Sequence, residues 1–209
     1  AGYVEEENSA IDGIMNQALK ECYLPGGFVG YLSGDEGYLF QQMCAIWYVL
    51  QKSKIRYSNA TDVPGHAWGV RVQNVRFFDQ ANCVEGTCLL ASIYQRFNLY
   101  PFIIVRPDHM FLGIGNAQGE LTYFLETTMI GNIDLDTYST DEEKWEASKA
   151  NFKEAMDAAR REYEEIMPNI GAKEPYYGVI DLDEARTYIP SINYGSVQTD
   201  SKGRIEWTK

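Results

Sequence analysis

Basic residues are scarce. Lysine and arginine number 18 against 30 aspartates and glutamates, for a net charge of -12. A protein that grips nucleic acid without reading its sequence needs a basic face to neutralise phosphates, so no nucleic-acid partner is expected. The charge instead describes an acidic, self-repelling surface. Histidine is rarer still, with only His66 and His109, and the four cysteines (Cys22, Cys44, Cys83, Cys88) are scattered. Neither set has the spacing of common zinc sites, and four dispersed thiols are too few for a disulfide scaffold. The acidic run Asp134–Glu143 lacks EF-hand spacing. No metal and no cofactor is expected. No stretch of about 18 apolar residues exists, so nothing reads as a membrane-spanning helix. The chain starts Ala1-Gly2, with no methionine and no leader pattern. An upstream segment is therefore expected to have been removed, which leaves the compartment open, an extracytoplasmic one included.

The 209 residues are 45% hydrophobic and 13% aromatic. That suits one globular domain with a single sizeable core. Three parts are expected within it: a helical part over residues 1–57, a core over 58–131, and helix and sheet additions over 132–209. Residues 1–8 are polar and read as frayed. Apolar residues at helical spacing (Ile11, Ile14, Met15, Ala18, Leu19, Cys22) predict a helix from Ser9, capped by Asn8 or Ser9 and stopped at Pro25-Gly26-Gly27. Phe28–Leu32 reads as a short extended piece. A second helix is predicted over Glu36–Lys52, and Ile55–Tyr57 as a short strand. Val70–Phe77 reads as partly extended.

The stretch from Asn82 to Gly131 is the most informative. Asn82 can cap a helix running from Cys83 to about Phe97, and Asn98 can take the left-handed conformation that ends it. Phe102–Arg106, Met110–Ile114 and Leu121–Thr127 are three strand candidates, the last two joined as a hairpin. A charged amphipathic helix over Asp141–Met167, ended by Pro168, follows. Val179–Arg186 reads as a short strand entering a short helix with Asp181 or Asp183 as cap. A strand around Ile205–Trp207 closes the chain.

Within that stretch a cysteine opens a helix, a histidine opens a strand and an acid closes one: Cys83, His109 and Glu126. A thiol is nucleophilic as thiolate, and the first turn of a helix stabilises negative charge. An imidazole beside it would complete the activation, and a carboxylate on the ring's other nitrogen would fix its orientation. The alternative for Cys83 is a small buried hydrophobe. Cys88, on another helical face, reads as structural. Glu85 and Asp108 read as solvated or capping, and Tyr100 and Phe111 as core or groove wall.

Cys83-Val84-Glu85-Gly86-Thr87-Cys88-Leu89-Leu90, followed by Leu99-Tyr100-Pro101-Phe102-Ile103-Ile104-Val105, resembles the core of the transglutaminase-like superfamily, and the flanks Ile55-Arg56-Tyr57-Ser58 and Val179–Arg186 resemble its bacterial members more loosely. His109-Met110-Phe111-Leu112-Gly113-Ile114 is similar to that family's histidine strand. Leu125-Glu126-Thr127-Thr128 is similar to the strand carrying its third member, where aspartate is commoner. The resemblance covers about fifty residues. It implies an α+β papain-like fold, with a nucleophile helix and further N-terminal helices packed on an antiparallel sheet. It also implies a Cys83-His109-Glu126 triad and a peptide or protein substrate. His66, in Gly65-His66-Ala67-Trp68, also looks like the family's histidine strand but precedes the cysteine. Gln73 stands ten residues upstream of Cys83. It is either a side-chain donor that helps the Cys83 N–H hold an oxyanion or a surface polar residue. Two function classes follow. One is a thiol-dependent peptidase, amidase or acyltransferase. The other is a non-catalytic module that uses the same groove to hold a peptide or glycan-linked ligand.

Overall fold

A computed structural model describes residues 1–57 and 80–191, with the backbone of two short strands at 198–199 and 205–206. His66, Trp68, Gln73 and the Val70–Phe77 segment lie outside the described residues. The fold is mixed α/β, and its centre is a four-stranded antiparallel sheet. After α1 (Ser9–Glu21) and α2 (Glu36–Lys52), strand β1 (Arg56–Tyr57) pairs in parallel with β2 (Gln80–Ala81). β2 delivers the chain to α3 (Cys83–Arg96). Strands β3 (Pro101–Arg106), β4 (His109–Gly115) and β5 (Leu121–Leu125) follow, then the long α4 (Asp141–Ile166), β6 (Gly178–Asp181) and α5 (Leu182–Arg186). The sheet order is β5-β4-β3-β6, and every neighbouring pair is antiparallel. The terminal strands β7 (Gln198–Thr199) and β8 (Ile205–Glu206) pair with each other.

Alternation along the strands gives the sheet two apolar faces. On one, Ile103, Leu112, Ile114 and Leu125 join a core shared with α1, α2 and α3, centred on Trp47, Leu90, Tyr94 and Phe97. On the other, Ile104, Phe111 and Phe124 pack beneath Ala159 and Ile166 of α4. Phe111 and Tyr100 answer the core reading in different ways: Phe111 is fully buried, and Tyr100 stacks on Tyr31 with ring centres 5.4 Å apart.

Caps account for where the helices begin. Asn8 accepts from the Ala10 N–H, Asp35 from those of Gly37 and Tyr38, and Asp181 from those of Asp183 and Glu184. Thr140 and Glu143 form a reciprocal capping box on α4. Asn98 takes the left-handed conformation, φ 62°, past the end of α3.

Three sequence expectations need correction. Residues 1–8 are not frayed. Val4 is fully buried, the Glu5 N–H donates to Ser92 Oγ at 2.8 Å, and the Arg186 guanidinium binds the Ala1 and Val4 carbonyls and Glu6. One apolar residue and a distant arginine suffice to dock a segment whose composition is polar. Phe28–Leu32 is not extended, because a 3-10 turn occupies Gly30–Ser33, its first residue at φ 54° with its N–H accepted by Gln42. The strand predicted over Leu121–Thr127 stops at Leu125, where a 3-10 turn over Thr127–Gly131 takes over. Among the described residues no helix is long and apolar enough to cross a membrane.

A buried polar cluster ties three of these elements together. Asn151 Oδ1 on α4 accepts from Trp47 Nε1 at 3.1 Å and from Gln51 Nε2 at 2.8 Å, both on α2. Gln51 Nε2 also donates to the Ile130 carbonyl, in the 3-10 turn after β5, at 3.0 Å. Removing the acceptor strands an indole N–H in the core. Asn151→Leu is expected to destabilise the fold by about 2–3 kcal/mol, the cost of leaving buried donors unpaired. Urea unfolding measures this, and a loss near zero would mean that the cluster is only decorative.

Candidate active site

Cys83 is the first residue of α3. Asn82 caps it in a reciprocal box: its Oδ1 accepts from the Glu85 N–H at 2.9 Å, and its own N–H donates to Glu85 Oε2 at 3.0 Å. Glu85 is thus a capping residue, buried by that role. The first-turn N–H groups of a helix lack intrahelical acceptors and carry the positive end of its dipole. Cys83 is half-buried and free, whereas Cys44 and Cys88 are buried. Burial pushes the Cys88 thiol up to about 11 and that of Cys22 to about 12, and it raises Cys44 as well.

His109 is the first residue of β4 and pairs across the hairpin with Arg106, the last residue of β3. Only Pro107 and Asp108 separate them. Proline presets the first turn position, and Asp108 takes φ 62° at the second, the pattern of a type II turn. This tight corner holds the imidazole at the end of the sheet, its ring centre 6.1 Å from that of Phe111.

Glu126 follows the last residue of β5 and caps the 3-10 turn after it. It is 7% exposed, and both of its oxygens are engaged. Oε2 accepts from His109 Nε2 at 2.7 Å. Oε1 accepts from the Thr128 N–H at 3.0 Å and its hydroxyl at 2.5 Å. Its backbone N–H donates to the Ala155 carbonyl of α4. Cys83 lies beside the His109 ring and raises its affinity for a proton. The three residues are therefore brought together in the order thiol, imidazole, carboxylate.

Cys83, then the hydrogen bond to Glu126, push the imidazole up to about 10, against the opposing effect of burial. Burial works against the charge on Glu126, but the bonds from His109 and Thr128 outweigh it and hold its carboxyl below the ordinary range.

Thr87 sets the distances between these groups. One turn after Cys83 and fully buried, its hydroxyl donates to the Met110 carbonyl at 3.3 Å and lies 3.2 Å from Thr127 Oγ1. Met110 follows His109, and Thr127 follows Glu126. Neighbouring Gly86 permits the approach, since a Cβ there would stand 3.1 Å from Thr127 Oγ1. One hydroxyl thus locks the helix that carries Cys83 to the residues that adjoin His109 and Glu126.

Glu162 of α4 is a participant that the sequence reading missed. Its Oε1 lies 3.9 Å from His109 Nε2 and 3.0 Å from Arg106 Nη1. A signal was present. Glu162 shares the helical face of Ala155, Ala159 and Ile166, all buried, so it is a charge set on an apolar stripe. His109 Nε2 and one oxygen each of Glu126 and Glu162 lie within 4.8 Å of one another, a donor set of the kind a divalent cation uses. To bind there, the cation would have to displace both the Nε2 proton and the guanidinium that Arg106 places on Glu162.

Comparison of the chain with protein-family models, with curated proteins and with solved structures finds no match. The functional reading therefore stands on this geometry and on the sequence. His66 and Gln73 lie outside the described residues.

Two outcomes follow. Thr87→Val keeps the shape and removes the hydroxyl, so it is expected to cost about 1–2 kcal/mol in urea unfolding and to slow alkylation of Cys83 as the helix loses its register. Unchanged labelling would show that Thr87 does not set that register. His109 contributes stability with a definite sign. The folded ring holds its proton more tightly than the ordinary value of 6.5 allows, so the linked stability is whole below about 6.5. It is lost as pH rises through about 10. The stability gap between the wild type and His109→Gln should accordingly narrow from pH 6.5 to pH 10, as read by unfolding at each pH. A gap that widened over this range would reverse the assignment.

Proposed function

We propose that this chain is a thiol-dependent hydrolase of peptide or amide bonds, or an acyltransferase, working through Cys83, His109 and Glu126 by way of a thioester. The observation that carries the proposal is the imidazole held by Glu126 on Nε2 at 2.7 Å, with the cysteine that opens α3 beside it. A nucleophile at the first residue of a helix, packed against adjacent antiparallel strands that carry base and acid, supports the papain-like, transglutaminase-like reading of the sequence. A peptide or protein acyl donor is the substrate class in keeping with it.

The steps use the residues as they stand. Cys83, as thiolate, attacks an amide carbonyl carbon; the C–S bond forms and the oxygen takes the negative charge. The Cys83 N–H, at the first helical position, is the proposed main-chain donor to that oxyanion. The oxyanion collapses, the C–N bond breaks, and His109 gives its proton to the departing amine. A water molecule or a second amine then attacks the thioester and passes a proton to His109. The sulfur leaves as thiolate, restoring the starting charges. Water completes hydrolysis, and an amine completes transamidation. Hydrolysis is the favoured outcome. Glu126 stays ionised throughout and holds the ring in one tautomer and orientation.

Labelling with iodoacetamide at pH 6–7 tests the reading. Cys83 is expected to react at least about tenfold faster than Cys22, Cys44 and Cys88, because the thiolate is the reactive form and those thiols are held protonated by burial. His109→Ala should remove most of that advantage. Equal rates at all four cysteines, indifferent to His109, would sink the enzyme reading and leave a binding module.

A further inference from the structure

We propose that Glu162, bracketed by Arg106, is a positioning residue of this site: it supplies the second carboxylate that lets a protonated His109 stand beside Arg106 at the hairpin end. The proposal rests on the Cys83–His109–Glu126 reading and assigns to α4 a part in it.

The register carries the argument. Arg106 and His109 are directly opposed across β3 and β4, and directly opposed residues project from the same face of a sheet. That face is the one α4 covers, as Phe111 beneath Ala159 and Ile166 shows. Two like charges placed opposite each other repel. A guanidinium there pushes the imidazole to give up its proton, which the mechanism needs it to keep. Glu162 reaches both cations, with one oxygen 3.0 Å from Arg106 Nη1 and 3.9 Å from His109 Nε2. Arg106 forms its ion pair with Glu162, so Glu126 is left to His109 and Thr128.

The position also costs something. Glu164 and Glu165 beside it are exposed, whereas Glu162 is half-buried on the apolar stripe, where burial raises its carboxyl and the two cations oppose that rise. Among the described residues, the charged or titratable groups around the ring are Cys83 from α3, Glu126 from the end of β5, Glu162 from α4 and Arg106 from β3. A unit charge roughly 4 Å away moves a titration by about one pH unit even when well hydrated.

The test is an NMR titration of the His109 ring in nitrogen-15-labelled protein, with His66→Gln to assign the two histidine signals. Glu162→Gln is expected to lower the His109 midpoint by about one pH unit or more. Adding Arg106→Gln should return part of that loss, because the unopposed guanidinium has gone, and Glu162→Asp should fall between wild type and Glu162→Gln. A merely structural Glu162 would give no recovery in the double variant, and that result, or a midpoint unmoved in Glu162→Gln, overturns the proposal. The underlying reading fails separately, if His109→Ala leaves Cys83 labelling unchanged.

Discussion

Helix α3 can lie against the sheet at only one height, and the site depends on that constraint. Gly86 lets Thr127 press against the helix backbone, and the Thr87 hydroxyl meets both Met110 and Thr127. The helix cannot slide along β4 without losing a buried hydrogen bond, nor rotate without driving a side chain into the 3-10 turn. Cys83, one turn back, is carried to a set place. The other face of that turn is held by Gln51, which donates to the Ile130 carbonyl, and by Gly131, where a Cβ would stand 2.8 Å from the Arg56 Cα. Helices α2 and α3 and strand β1 therefore all register on the few residues that follow Glu126.

The electrostatics are built on the same few contacts. A carboxylate as buried as Glu126 is costly unless its oxygens are satisfied. Here one oxygen holds Thr128 and the other holds His109, so a single residue caps a turn and orients an imidazole. The ring's raised affinity for its proton is the counterpart of that arrangement. It keeps the imidazole charged across the neutral range, beside Cys83 and against Glu126.

Much of the architecture was legible along the chain. Periodicity and capping residues located α1, α2, α3 and α4, because those signals act over three or four residues and do not depend on distant partners. Asn82 before Cys83 announced a helix start, and Asn98 its end. Expectations failed where distant contacts prevailed over local composition. Val4 is buried through Ser92 and Arg186, residues far along the chain, and Phe28–Leu32 turns because Gln42 holds the backbone of Gly30. The longer reach of Glu126 relative to aspartate could not be judged in advance. The strand ends one residue before it, and the extra methylene brings Oε2 to 2.7 Å from the ring.

Sequence by itself determined which residues could do chemistry: one cysteine behind a helix cap, one histidine after that helix, and one acid at a strand end. It could do so because helix starts and strand alternation are local properties. Only the tertiary structure decided that the three meet, since a hydrogen bond between strands depends on register, and a slip of one residue reverses every side chain. The same step drew in Glu162, which lies 36 residues beyond Glu126 and reaches His109 only because α4 folds back across the sheet face on which Arg106 and His109 stand.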